Sequence, residues 1–166
     1  MSVDFFTYAE AVPTQKDFAI CDDHDQKPVR IEHIGDSEHQ VTVLSENRTD
    51  YFFIPVDHNI LLKRQDGSDD KICDAILYTK NTICFIEIKC WRTKGWIPAA
   101  ADQIVCTIGH FYENHPSDAH RYRDAYICNW KKRHSILNES NNELKNKFFE
   151  KHRVHLYISN IIKELS

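Results

Sequence analysis

The alternation of apolar and polar residues is clearest from Lys71 to Cys90, KICDAILYTKNTICFIEIKC. Two runs rich in β-branched and aromatic residues, 71–78 and 83–89, flank Thr79-Lys80-Asn81-Thr82, the pattern of a β-hairpin. Asn81 suits the positive φ that a tight hairpin turn asks for. With the turn centred on Lys80 and Asn81, Tyr78 faces Ile83, Ile76 faces Phe85 and Asp74 faces Glu87. Successive side chains alternate faces, so Ile72, Asp74, Ile76 and Tyr78 share one face with Ile83, Phe85, Glu87 and Lys89. Cys73, Ala75, Leu77, Cys84, Ile86, Ile88 and Cys90 take the other.

Upstream, Phe5, Phe6, Tyr8 and Val12 suffice for a short amphipathic helix before Pro13. Segments 18–21, 29–34, 40–44 and 51–54 read as strands with short connections, which predicts an antiparallel meander in an N-terminal extension over 1–56. Asp22-Asp23-His24-Asp25 lies in an unbroken polar run and reads as a turn rather than a metal site. Asp57 is placed to cap a helix over 58–65, with Ile60, Leu61 and Leu62 as its apolar positions.

Downstream of the hairpin, Pro98 opens a helix whose buried stripe is Ala100, Ile104, Ile108 and Phe111, with Gln103 beside it. His110 reads as a helix-end histidine rather than a base. A strand at 125–130, a helix at 141–152 with Leu144, Phe148 and Phe149 inward, a strand at 154–158 and a terminal helix at 160–165 complete the chain. The mixture is an α+β (mixed α/β) fold, a single domain over 1–166 with its core in 57–166.

Two carboxylates and an ammonium therefore converge at one end of a mostly apolar hairpin. Like charges directly opposed on a sheet are destabilising, and charges among apolar neighbours need a partner or a metal. Two accounts stay open: a structural ion pair with Lys89, or a hard divalent cation held by carboxylate oxygens.

The composition narrows the setting. The 166 residues, 42% hydrophobic and 28% charged, suit one globular domain. No apolar run reaches the roughly 18 residues of a membrane span, and the first residues lack the basic start and apolar stretch of a signal peptide. None of the six cysteines forms a CxxC pair, so reduced thiols in a cytoplasm are expected rather than a zinc or redox site. The net charge of −4 divides unevenly: 15 acidic and 6 basic residues in 1–70, against 10 acidic and 15 basic in 71–166. The basic excess falls on the half that carries the hairpin, where a phosphate backbone would approach.

Asp74, twelve intervening residues, then Glu87-Ile88-Lys89 on the next strand resembles the PD-(D/E)xK, or restriction-endonuclease-like, superfamily of metal-dependent nucleases. The resemblance rests mainly on 57–130, and Lys71-Ile72-Cys73-Asp74 lacks the proline many members carry before the aspartate. It implies a central mixed sheet flanked by helices, with strand 125–130 beside the ExK strand. It implies Mg²⁺ or Mn²⁺ held by Asp74, Glu87 and the backbone carbonyl of Ile88, and catalysis by Asp74, Glu87, Lys89 and Gln103. Gln103 matches a glutamine that several branches place on the helix after the ExK strand. Members' extra glutamate on a preceding helix has no counterpart in 58–65; Asp57 and Glu46 are the substitutes at hand.

After Lys89 comes Cys90-Trp91-Arg92-Thr93-Lys94-Gly95-Trp96-Ile97, basic and aromatic together. Trp91 and Trp96 either stack on unpaired bases, with Arg92 and Lys94 on phosphates, or anchor the loop to the core. Lys131, Lys132 and Arg133 add a second basic group for nucleic acid. The expected activity is metal-dependent phosphodiester hydrolysis, in DNA, by a soluble protein that acts as a homodimer or in a larger complex as many relatives do. The alternatives are an inactive nuclease-like module binding nucleic acid or protein, as in phage-defence or mobile-element systems, and an unrelated interaction protein.

Overall fold

The structure, a computed structural model, describes residues 2–13, 16–46, 49–131 and 141–166. Among the described residues, two sheets and two α-helices form three layers. The six-stranded sheet runs β1 (Glu10–Ala11), β5 (Phe52–Pro55), β6 (Ala75–Tyr78), β7 (Thr82–Lys89), β8 (Tyr122–Asn129), β9 (His155–Ile158). Its pairs are antiparallel from β1 to β7 and parallel from β7 to β9. The parallel pairs require crossovers, which α1 (Trp96–Asn114) and α2 (Asn142–His152) supply. The four-stranded sheet runs β10 (Ile161–Ile162), β4 (Gln40–Val43), β2 (Phe18–Cys21), β3 (Arg30–Glu32).

Period-two alternation in the hairpin feeds two cores. Ile76, Ile83 and Phe85 pack with Ala100, Ile104 and Phe111 of α1 and with Phe148 of α2. Ala75, Leu77, Cys84, Ile86 and Ile88 pack against Phe18, Ile20, Val41 and Val43 of the second sheet. Cys73 departs from the expected division: it precedes β6, its N–H donates to Thr107 Oγ1 on α1 at 2.8 Å, and it joins the helix-side core. With apolar cover on both faces, all eight residues of β7 are buried.

The hairpin register is the expected one, with Tyr78 opposite Ile83 and Ile76 opposite Phe85. Its turn is made differently. Asn81 is not among the described positive-φ residues; instead Thr79 Oγ1 accepts from the N–H groups of Asn81 (3.2 Å) and Thr82 (3.1 Å), so a threonine side chain fixes the bend.

Five expectations for local structure are corrected. The N-terminal helix is one 3₁₀ turn, Phe5–Tyr8, and the chain then extends into β1. The meander is not formed, because β4 pairs with β2 rather than with β3, and β5 crosses to the other sheet. No helix occupies 58–65; Ile60 and Leu62 are buried while Leu61 is exposed, which is extended rather than helical spacing. The terminal helix is replaced by β10, whose Ile161 and Ile162 pair in parallel with Thr42 and Val43. Phe149 of α2 is also partly exposed rather than inward, while Phe148 fills the core.

Helix α1 forms where the sequence places it. Gly95 takes φ 89° to turn the chain into the helix, and Pro98 sits in the first turn, where its missing N–H has no helical partner to lose. The glycine's freedom is required here, since a β-branched residue would be strained at that φ.

Candidate active-site cleft

β7 and β8 run parallel and end together, with Lys89 opposite Asn129. At this carboxyl end, where open α/β sheets place ligands, a cleft of about 200 Å³ opens between the two sheets and the start of α1. Asp74, Glu87, Ile88, Lys89, Trp91 and Gln103 all line it.

Asp74 lies one residue before β6, so its backbone leaves the ladder and its carboxylate closes the end of the hairpin. Its N–H donates to Glu87 Oε2 (3.2 Å), and its Oδ2 accepts the Ile88 N–H (2.6 Å). Lys89 Nζ contacts Glu87 Oε1 at 2.6 Å and donates to Gln103 Oε1. Gln103 Nε2 in turn donates to the Ile72 carbonyl at 2.9 Å. One glutamine thus ties α1 to the end of β7 and to the segment before β6, and fixes the ammonium.

The electrostatics follow from burial. Asp74 is 8% exposed and Glu87 2%. Burial, then the Glu87 and Asp22 carboxylates, hold Asp74 well above the usual carboxylate range. Burial likewise pushes Glu87 up to about 7, opposed by the Lys89 ammonium. Carboxylates held in this way favour neutralisation, by protons or by cations.

The cleft also gathers residues that the sequence reading assigned elsewhere. Asp22, His24 and Gln26 line it from the second sheet, and Asp57 and His58 from the turn after β5. Asp22 is buried, accepts the His24 backbone N–H (2.8 Å) and has His24 Nδ1 3.0 Å from its Oδ2. Trp130 Nε1–H donates to His24 Nε2 at 3.2 Å. An indole nitrogen can only donate, so this bond leaves the His24 proton on Nδ1, facing Asp22. Burial lowers the His24 pKa and raises that of Asp22. His24 (φ 53°), Gln26 (φ 63°) and His58 (φ 58°) all hold left-handed backbone without being glycine, and such strain gathers at functional sites.

The signal for Asp22 and His24 was present in the Asp-Asp-His-Asp run, but a polar run reads as a turn until the second sheet is seen to face the first. Asp57, expected as a helix cap or as a substitute for the family's extra acid, lines the cleft, and the Val56 and Asp57 N–H groups approach the Asp74 carbonyl at 2.8 and 3.4 Å. Glu46 is exposed and does not line the cleft.

The proposed nucleic-acid residues divide. Trp91, Arg92 and Lys94 lie in an exposed segment, 91–95, beside the cleft. Trp96 is 7% exposed in the helix-side core, so it offers no free face to a base and anchors the loop instead. Lys131 is exposed, its Nζ 5.2 Å from the Trp130 ring centroid. Lys132 and Arg133 lie outside the described residues. His110 Nε2 is 2.9 Å from Asp70 Oδ2 and stands away from the cleft lining.

Among the described residues, no group of three or more His, Cys, Asp or Glu side chains is arranged to hold a metal ion. The donors at hand are those a small hard cation uses, one or two carboxylates completed by water and substrate oxygens. Among the described residues nothing donates to Asp74 Oδ1, which leaves that oxygen available in the cleft. The carboxylates of Asp74 and Glu87 are donors of that kind. No described helix is long and apolar enough to cross a membrane, and all six cysteines are free. In comparisons with family models, characterised proteins and solved structures, none matches the chain.

Proposed function

We propose that this protein is a metal-dependent phosphodiester hydrolase acting on nucleic acid, DNA in the first instance, with a restriction-endonuclease-like core. The observation that carries the reading is the convergence of Asp74, Glu87, Lys89 and Gln103, from two strands and the following helix, in one cleft. Three placements support the reading: the acid stands just before β6, Glu87-Ile88-Lys89 ends β7, and β8 lies beside β7 with α1 between them in sequence.

Asp74 and Glu87, with the Ile88 carbonyl, would hold Mg²⁺ or Mn²⁺. When bound, such an ion supplies Lewis acidity to a phosphoryl oxygen and to water. Lys89 brings a fixed positive charge to where the phosphoryl oxygens gain negative charge. Gln103 uses its carbonyl on Lys89 and its amide on Ile72, which makes it a positioning residue rather than one that holds water itself. The surrounding cores exclude bulk water and strengthen these interactions.

The test is incubation with DNA and Mn²⁺ or Mg²⁺, with Asp74→Ala and Lys89→Ala as controls. Cleavage by the wild type, lost in both variants while far-ultraviolet circular dichroism is retained, is the expected result. Full activity in either variant removes the assignment. A second reading, a binding module without turnover, is favoured by the lack of a three-ligand group among the described residues. It predicts metal-independent binding and no cleavage.

A further inference from the structure

Trp91 is the large aromatic at the cleft that the cores do not use. It is 40% exposed, lines the cleft two residues after Lys89, and has the Lys89 Nζ 5.5 Å from its ring centroid. Its backbone is braced. The Trp91 carbonyl accepts from Asn129 Nδ2 at 2.9 Å, and Asn129, itself 1% exposed, is locked to Asn160 by reciprocal bonds of 2.8 and 2.9 Å. An exposed indole on a fixed backbone differs in kind from Trp96, five residues on, which is sunk in the core. Arg92 and Lys94 continue the same exposed segment and supply cationic groups of the sign a phosphate backbone requires.

The depth of the cleft adds a second constraint. Asp74 and Glu87 are nearly sealed, so a target phosphate must enter between the Asp22–Gln26 wall on one side and Asp57, His58 and Gln103 on the other. The cleft is small, about 200 Å³. In a duplex the bases are stacked on each other, and an enzyme reaches one only by extruding it or by starting from a single strand. Aromatic platforms beside a cationic track are the means by which unpaired strands are held without sequence preference.

We infer that the strand this cleft accepts is unpaired nucleic acid, one base lying on the Trp91 ring while the neighbouring phosphate enters toward Lys89. This rests on the hydrolase reading for the fate of the phosphate, but the binding itself does not.

The experiment measures equilibrium binding in EDTA, so that no strand is cut, by fluorescence anisotropy. The probes are a labelled dT 12-mer, a labelled rU 12-mer and a blunt duplex of mixed sequence and the same length. The wild type should bind at least one single strand more tightly than the duplex. Trp91→Ala should weaken that binding by about 5- to 100-fold, the effect of losing one base–aromatic stack, and Trp91→Phe should retain most of it. A preference between dT and rU identifies the sugar, and equal binding supports recognition of the unpaired base alone. Duplex binding as tight as single-strand binding, or unchanged affinity in Trp91→Ala, overturns the inference. Hydrolysis of bis(p-nitrophenyl) phosphate with Mn²⁺, which has no base to stack, separates the two readings. Its absence removes the hydrolase while single-strand binding on Trp91 stands, and its presence without single-strand preference removes only the inference.

Discussion

Asp23, Arg30 and Glu32 on the four-stranded sheet and Asp74, Glu87 and Lys89 on the six-stranded sheet are made from the same groups, two carboxylates and a cation. On the outer sheet Arg30 reaches Asp23 at 2.7 Å and Glu32 at 2.6 Å in a largely solvated setting. The hydrogen bond from Arg30 holds the Asp23 carboxyl below its ordinary value. Burial works against ionisation of Glu32, but hydrogen bonds from Gln40 and Arg30 prevail and its pKa falls. In the cleft the outcome is reversed. Burial outweighs every partner, and Asp74 and Glu87 are both raised. One cluster is complete as it stands; the other holds acidic groups whose charge still wants compensation, and that is a reason for a site rather than a brace.

The largest expected break in this contrast is Asp74→Asn. It should lower Mn²⁺-dependent cleavage of nucleic acid by at least about 100-fold, on the scale of losing a principal catalytic group, while the thermal melt remains cooperative. Activity within a few-fold of wild type would place Asp74 with the structural cluster.

Next comes Glu87→Gln, read as stability against pH without metal. The folded pKa of Glu87, about 7, lies above the ordinary 4.5, so the folded state binds the proton more tightly than the unfolded chain. Its contribution is present below about pH 4.5 and lost as pH rises through about 7. The wild-type melting temperature should therefore fall across that window more steeply than that of Glu87→Gln. Parallel profiles would refute the raised value.

Trp130→Phe should act more gently. It keeps the ring beside His39, stacked at 4.2 Å, but removes the indole donor to His24. A loss of about 1 kcal/mol or less in chemical denaturation is expected, with a few-fold fall in cleavage as Asp22 loses its orientation. Smallest of all is Arg30→Ala. Its own side chain is 46% exposed, so stability should change by no more than about 1 kcal/mol and cleavage should not change at all; a lost activity would mean that the outer cluster reaches the cleft.

The hairpin, its register and the meeting of Asp74, Glu87 and Lys89 were legible because strand period acts over a few residues, whereas Gln103 was expected at the site only through the family resemblance. The second wall of the cleft was not. Asp22 and Asp74 lie 52 positions apart in sequence and meet only because the two sheets pack face to face, a tertiary event with no local pattern. The missing helix over 58–65 and the strand at 161–162 fail for a related reason. Short apolar runs take the conformation of the partner they find, and Ile161-Ile162 finds the edge of β4.

That last pairing also sets an order of assembly. The β6–β7 hairpin closes a loop of a few residues, whereas β4 acquires its neighbour β10 only after more than a hundred further residues have been placed. Loop closure over such a span is slow and entropically unfavourable. The β6–β7 hairpin would therefore form first, and the β10–β4 pair late. In native-state amide exchange, Thr42 and Leu44, whose N–H groups donate to Asn160 and Ile162, should open before Phe85 to Ile88, so the far rim of the second sheet loosens while the floor of the cleft holds.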